Sequence, residues 1–338
     1  MNECPNFVRC SGSFFKVSYC TNPRFDVLND VENFYSADIV GLENVFFDRH
    51  GQIFDENYKY LLSGCPLPTD NVPQSVHLTQ VSKFTAAIQL QYPKQGKASY
   101  FIPDILPLFY LLRQLISTFP TMPIFVSTSD SNLKYLRYLG IDPNKLNIFP
   151  DHVKYQNYIF SQLLFVPTFP KCQTPPAKLW AEIRKNYETS TSYELLGHSL
   201  TNKANFKILV INRGTKTRQI PNFDDLLSNM EQHFPGEVAT FEESQSTFEE
   251  TAQLFSTSTI LVGVHGSEFT NMIFMPKNSI IIEIQPTKLS KKWVKSLAKA
   301  NSFLHSTLLI QGNWEKVSSV NVPNVIEILM KTKEKFQE

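Results

Sequence analysis

The stretch from Ile260 to Ile284, ILVGVHGSEFTNMIFMPKNSIIIEI, limits most strongly what this chain can fold into. It holds two short apolar runs, Ile260–Val262 and Ser279–Ile284, on either side of a polar turn and a helical segment, Glu268–Met275. Short β-branched runs without polar alternation read as strands covered on both faces, the condition of a parallel sheet flanked by helices. Pro276 and Asn278 end the helical segment before the second strand begins. In the turn, Gly263 and Gly266 flank His265, and glycines there leave room for a ligand to approach the backbone. The helical segment points its free N–H groups at the same turn, which suits an anion.

The second half of the chain repeats this alternation. Strands are expected at Lys207–Asn212, Glu237–Phe241, Thr259–Val262 and Phe303–Ile310. Helices are expected at Asp224–His233, Thr247–Ser256 and Lys291–Ala300, with an amphipathic terminal helix at Pro323–Phe336. The first half is less regular. Ala37–Phe47 reads as a strand, Asp48–Gly51 as a hairpin-type turn and Gln52–Phe54 as the return. Leu61–Pro73 reads as a loop and Val76–Leu90 as one or two strands. From Ile105 the chain is apolar at helical spacing, Pro107 suits a first turn, and Asp104 sits where an N-cap would sit. Pro123–Ser127, Lys145–Phe149 and Tyr158–Val166 read as strands, with helices at Ser131–Leu139 and Ala177–Tyr187. Ser190–Ala204 reads as a polar loop.

A chain of 338 residues is long for one domain and suits two of about 150. Pro167–Pro176 is the linker candidate. The expected organisation is α/β, with Rossmann-like domains over residues 1–170 and 171–338 facing a cleft, the last helix free to pack back on the first domain. Lys+Arg 32 against Asp+Glu 31 leaves a net charge of +1, which argues against a broad electrostatic footprint for nucleic acid. Cys4, Cys10, Cys20, Cys65 and Cys172 form no CxxC pair and indicate no zinc site. A disulfide set among the first four stays open. Met1–Tyr19 carries no apolar signal core, the chain has no transmembrane run, and no Asn-x-Ser/Thr sequon occurs. This fits a cytoplasmic chain, or one trimmed of an anchor.

The chemistry concentrates at strand ends. The strand Lys207–Asn212 runs into Arg213 and Arg218, and arginine suits forked contacts with phosphate oxygens. Alone this is a basic surface loop; paired with the Gly263–Gly266 turn it reads as a clamp on a diphosphate. His265 is either a satisfied core histidine or a hydrogen-bond donor to phosphate or sugar. Asn271 is helix surface or a donor contact. Glu283 ends its strand either as an acceptor for ribose hydroxyls or as the partner of a nearby arginine. Glu242, Glu243, Glu249 and Glu250 read as a solvated face and helix-start charges. The sequence has no P-loop, no H-E-x-x-H, no G-x-S-x-G and no G-x-G-x-x-G, so NTP, metallo- and serine hydrolysis and dinucleotide oxidoreduction lose support.

These residues resemble glycosyltransferase family 61, whose members include N-acetylglucosaminyl- and xylosyltransferases. The family's V-G-x-H-G-A-x-L-T-N-x-x-F-L-P motif is matched from Val262 to Pro276, and its closing V-I-E-x-x-P from Ile281 to Pro286. Arg213, Arg218 and Asn222 fit the pattern of two arginines and an Asn-Glu pair, Phe223 replacing the Glu. Ser244–Phe255 resembles the S-F-x-E-Q-x-x-L-F helix, and Asp104–Gln114 the D-x-L-P-x-x-Y-x-L-R-Q helix. Ser267 and Glu268 stand where an Ala-Gly type pair is usual. The resemblance implies a GT-B fold and inverting transfer of a sugar, xylose or N-acetylglucosamine, from a UDP-sugar to a hydroxyl of a glycan or glycoprotein. The implied donor site is Arg213, Arg218, Asn222, Gly263, His265, Gly266, Ser267, Asn271 and Glu283, with no obligatory metal and Asp104 as candidate base. It also implies an endoplasmic reticulum or Golgi setting. A non-catalytic member that binds nucleotide-sugar or glycan is the alternative.

Overall fold

The computed structural model describes residues 7–8, 17–19, 39–48, 53–54, 59–60, 81–90, 101–126, 129–149, 158–167, 177–188, 206–214, 217–289 and 292–337. The five cysteines, the loop expected at Leu61–Pro73, most of the linker candidate and the Ser190–Ala204 loop lie outside them. The chain divides into two compact units, Met1–Ile183 and Arg184–Glu338.

The first unit contains a mixed sheet. Its strands are β1 (Phe7–Val8), β2 (Val17–Tyr19), β3 (Ile39–Asp48), β4 (Ile53–Phe54), β5 (Lys59–Tyr60), β6 (Ser82–Gln89), β7 (Ile124–Phe125), β8 (Ile148–Phe149) and β9 (Tyr158–Pro167). They lie in the order β1-β2-β3-β9-β6-β7-β8, with β4 and β5 branching from β3. β9, β6, β7 and β8 run parallel, but β3 and β9 pair antiparallel from Ile39↔Pro167 to Asp48↔Tyr158. This departs from a purely Rossmann-like layer. The physical reason is nonlocal: β3 meets a strand more than a hundred residues away, a pairing that no local pattern encodes. Leu42, Val45, Phe47, Ile53, Ala87, Phe125, Ile159, Leu164 and Val166 form its apolar core.

Helix α1 (Leu106–Thr118) starts differently from expectation. A π-helical turn, Phe101–Ile105, precedes it, and the N-cap position falls on Ile105, which caps nothing with its side chain. Phe101, Ile102 and Ile105 are buried, and burying them carries the helical course back past Asp104. Asp104 is therefore enclosed in the turn, fully buried, and is no N-cap.

The second unit is regular. After α2 (Ala177–Glu188) come β10 (Ile208–Ile211), α3 (Phe223–His233), β11 (Val238–Phe241), α4 (Phe248–Ser256), β12 (Ile260–Val264), a 3-10 segment Ser267–Phe274, β13 (Ile280–Pro286), α5 (Trp293–Ala300), β14 (Leu304–Ile310) and α6 (Val322–Gln337). All five strands are parallel, in the order β11-β10-β12-β13-β14. β10 and β12 are buried throughout, as apolar runs between turn breakers should be. A capping box starts α4: Thr247 Oγ1 accepts from the Glu250 N–H, while the Glu250 carboxylate accepts from the Thr247 N–H. The terminal helix packs within this unit, with Val325, Ile326 and Leu329 in one cluster with Leu226, Met230 and Phe234. No helix among the described residues is long and apolar enough to cross a membrane.

Candidate functional site

Counted within the second unit, the strand order is 2-1-3-4-5. The chain leaves β10 toward one side of the sheet and returns to β12 on the other. In open parallel sheets such a parting of connections opens a crevice outside the carboxyl ends of the two strands, and ligands bind there. Arg213 and Arg218 follow β10, and His265 and Gly266 follow β12, so the register Val210↔Val262 brings the two turns side by side.

The His265 turn is closed from within. Trp293 Nε1–H donates to His265 Nε2 at 3.1 Å. An indole N–H only donates, so Nε2 is the acceptor and the imidazole hydrogen sits on Nδ1, bonded to Glu283 Oε1. His305 Nε2 donates to the other Glu283 oxygen at 2.8 Å. Burial by itself would raise the Glu283 carboxyl. The hydrogen bonds from His265 and His305, and the charge those rings carry when protonated, hold it below its ordinary value. Both nitrogens of His265 are thus engaged and the ring is 1% exposed, so it is a satisfied core histidine with no hydrogen left for a phosphate. Glu283 serves two histidines, neither a ribose nor an arginine.

The glycines of this turn make room for the protein's own neighbours. A Cβ on Gly263 would come within 2.7 Å of Ile211 Cβ on the adjacent strand. One on Gly266 would collide with Nη1 of Arg213 and with the Glu268 carboxylate. Those two side chains form a buried ion pair at 2.6 Å. Arg213 Nε also donates to the Thr217 carbonyl at 2.7 Å. Arg213 therefore reaches the crevice already carrying a counter-charge.

Arg218 is different. It is buried to 6% exposure, and its Nε and Nη1 have no hydrogen-bond partner among the described residues. Burial first, then the neighbouring Arg213 charge, lower its pKa to about 10, opposed by Glu268. It remains a cation at neutral pH. Its backbone is left-handed, φ 65, a cost of roughly 1–3 kcal/mol for a residue with a Cβ. The N–H of Arg218 donates to the Glu315 carbonyl at 2.9 Å, which holds it there. The guanidinium lies over the Trp314 ring, 4.7 Å from its centroid. Trp314 also meets His265 edge-on, with centroids 6.2 Å apart. Residues 311–320 thus return from β14 across the carboxyl edge of the sheet.

The other sequence candidates fall around this centre. Asn222 uses both ends of its amide on Val320, accepting from its N–H at 2.9 Å and donating to its carbonyl at 3.1 Å, which pins the returning segment. Asn271 is buried and donates to the Glu268 carbonyl. Ser267 begins the 3-10 segment, half-buried, its carbonyl accepting from Thr270 Oγ1. Asp104 belongs to the first unit. Trp314, Trp293 and His305 were not singled out by sequence reasoning. A tryptophan within a Gly-Asn-Trp-Glu turn was the available signal for the first of them.

A family profile described as Glycosyltransferase 61 matches residues 100–282, more than half of the chain. The chain belongs to glycosyltransferase family 61. Within that family it is 26% identical over 200 residues to mouse protein O-linked-mannose beta-1,4-N-acetylglucosaminyltransferase 2, covering 55% of this chain and 34% of the relative. The human protein of the same name is 26% identical over 205 residues, with the same two shares. The chain therefore spans about a third of the length of these relatives. Among solved structures, a mutant flavo di-iron protein from Thermotoga maritima aligns over 71% of this chain and 50% of its own at 10% identity; its TM-score of 0.30 carries no argument.

Proposed function

We propose that this family 61 chain transfers a sugar from a UDP-sugar to a hydroxyl of a glycoprotein glycan, with inversion, in a GT-B arrangement of its two units. One observation supports it above the rest: at the strand-parting crevice the buried Arg218 Nε and Nη1 have no hydrogen-bond partner among the described residues. A buried donor left unpaired costs about 1–3 kcal/mol, and a diphosphate oxygen supplies the missing acceptor. The names of the mouse and human relatives favour N-acetylglucosamine over xylose as the sugar.

In this chemistry the acceptor hydroxyl loses its proton to a base and its oxygen attacks the anomeric carbon. The bond from that carbon to the diphosphate oxygen breaks, and negative charge grows on the leaving diphosphate. Arg218, and Arg213 once it shares its guanidinium between Glu268 and the ligand, would meet that charge, and no divalent metal is required. His265, Glu283, Asn222 and Asn271 position these groups and do not touch the donor. Asp104 is the proposed base; its place in a π-helical turn fits, since such turns recur at functional sites. Asp104→Asn should lower turnover by about 100-fold or more while leaving UDP affinity intact. Retained turnover refutes its role.

The Arg213–Glu268 pair favours a second reading, a non-catalytic module that binds nucleotide-sugar with an already half-neutralised site. Calorimetric titration with UDP, followed by UDP-release assays with UDP-N-acetylglucosamine and UDP-xylose on a panel of O-mannosyl and other glycan acceptors, separates the two. Binding without turnover selects the module; no UDP binding rejects both.

A further inference from the structure

Trp314 is one of three tryptophans in the chain and is 51% exposed, whereas Trp180 and Trp293 are buried. Its exposure does not come from a loose loop. Gly312 and Val317 form an antiparallel bridge, and Asn313 N–H donates to the Lys316 carbonyl at 2.8 Å. The Asn313 side-chain oxygen accepts from the N–H groups of Glu315 and Lys316 at 2.8 and 3.0 Å. Ser318 N–H closes on the Gln311 carbonyl, and Val317 and Val320 anchor the segment in the core. A hydrogen-bonded hairpin thus holds a large apolar ring in solvent, against the tendency of such surface to bury.

What the ring stands beside suggests its use. One side faces the Arg218 guanidinium, whose Nε and Nη1 have no hydrogen-bond partner among the described residues. A molecule that brings an anion to Arg218 and a flat ring to an indole is a nucleoside diphosphate. We propose that Trp314 is the stacking platform for the nucleotide base, a base–indole–guanidinium sandwich that adds to donor affinity; this rests on the nucleotide-sugar reading of the site. The base is favoured over the hexose because the hexose must stay free to meet the acceptor. The base can sit on a fixed hairpin.

The test is calorimetric titration of the whole chain, as wild type, Trp314→Ala and Trp314→Phe, with inorganic pyrophosphate, UDP and UDP-N-acetylglucosamine. Trp314→Ala should weaken UDP and UDP-N-acetylglucosamine by the same factor, about tenfold or more, as base–aromatic stacking implies, and leave pyrophosphate within about twofold. Trp314→Phe should recover most of the loss. UDP should quench wild-type tryptophan fluorescence and leave that of Trp314→Phe nearly unchanged. An equal loss of pyrophosphate overturns the proposal, since Trp314 would then only prop Arg218. Loss confined to UDP-N-acetylglucosamine overturns it in favour of the hexose, and unchanged UDP affinity overturns it outright. A wild type that binds pyrophosphate but gains nothing from the nucleoside rejects the stacking and keeps the anion site. A wild type that binds none of the probes rejects the site itself.

Discussion

Two turns leave the same edge of the same parallel sheet, and their polar side chains are treated in opposite ways. After β12, His265 is bonded at both ring nitrogens, and Glu283 behind it accepts from two histidines. After β10, Arg218 is also buried, and its Nε and Nη1 have no hydrogen-bond partner among the described residues. A polar group satisfied on all sides holds the fold, while a buried one left short asks for a ligand. The motif histidine, the more conspicuous residue in the sequence, is thus the architectural one. Arg213 lies between the two cases, paired to Glu268 yet on the crevice.

The contrast can be broken by mutation. Glu283→Ala strips the acceptor from His265 and His305 and should cost about 3–5 kcal/mol of stability, measured by urea unfolding, as for a broken buried pair. The UDP affinity of the folded fraction should change far less. A variant that keeps its stability but loses UDP would reverse the assignment of the two turns. Arg218→Ala should do the opposite. It should weaken UDP binding by about 1.5–3 kcal/mol, the range for a charged hydrogen bond, with a much smaller change in unfolding free energy. Unchanged affinity removes it from the site. Arg213→Ala should show both effects in part, a binding loss of about 1.5–3 kcal/mol together with lower stability from stranding the Glu268 carboxylate. Removing Glu268 as well should return the stability but not the binding.

Acid gives the smallest effect. The Glu283 carboxyl is held below its ordinary 4.5 in the folded chain. Its contribution is therefore complete above 4.5 and is lost as pH falls through the lowered folded value. Glu283→Gln should flatten that acid limb of a stability–pH curve. A limb of unchanged steepness would show that other carboxylates set it.

Legibility in the sequence followed how local the physics was. The strands of the second unit were read to within a few residues because each is a short run between breakers, and the central β10 and β12 are apolar and buried on both faces. The arginines were legible because a basic residue just past such a strand must lie on its carboxyl edge. In the first unit the pairing of β3 with β9 joins segments too distant for any window, and the antiparallel sense came with it. Asp104 was misplaced as a cap because buried apolar neighbours extended the helical course through it. Glu268 was visible as a departure from the family pattern, but not as the counter-ion of a residue 55 positions earlier.

The run Ile260–Ile284 on its own determined a parallel layer with a glycine-flanked turn at its edge, because periodicity and chain breakers act over a few residues. Which polar groups at that edge are already spent was decided in three dimensions. Trp293 and His305 arrive from later elements to complete the histidine network, and residues 311–320 cross back to lay Trp314 on Arg218. Hydrogen-bond satisfaction depends on every neighbour in space, so the residue left wanting an anion appears only when the chain is folded.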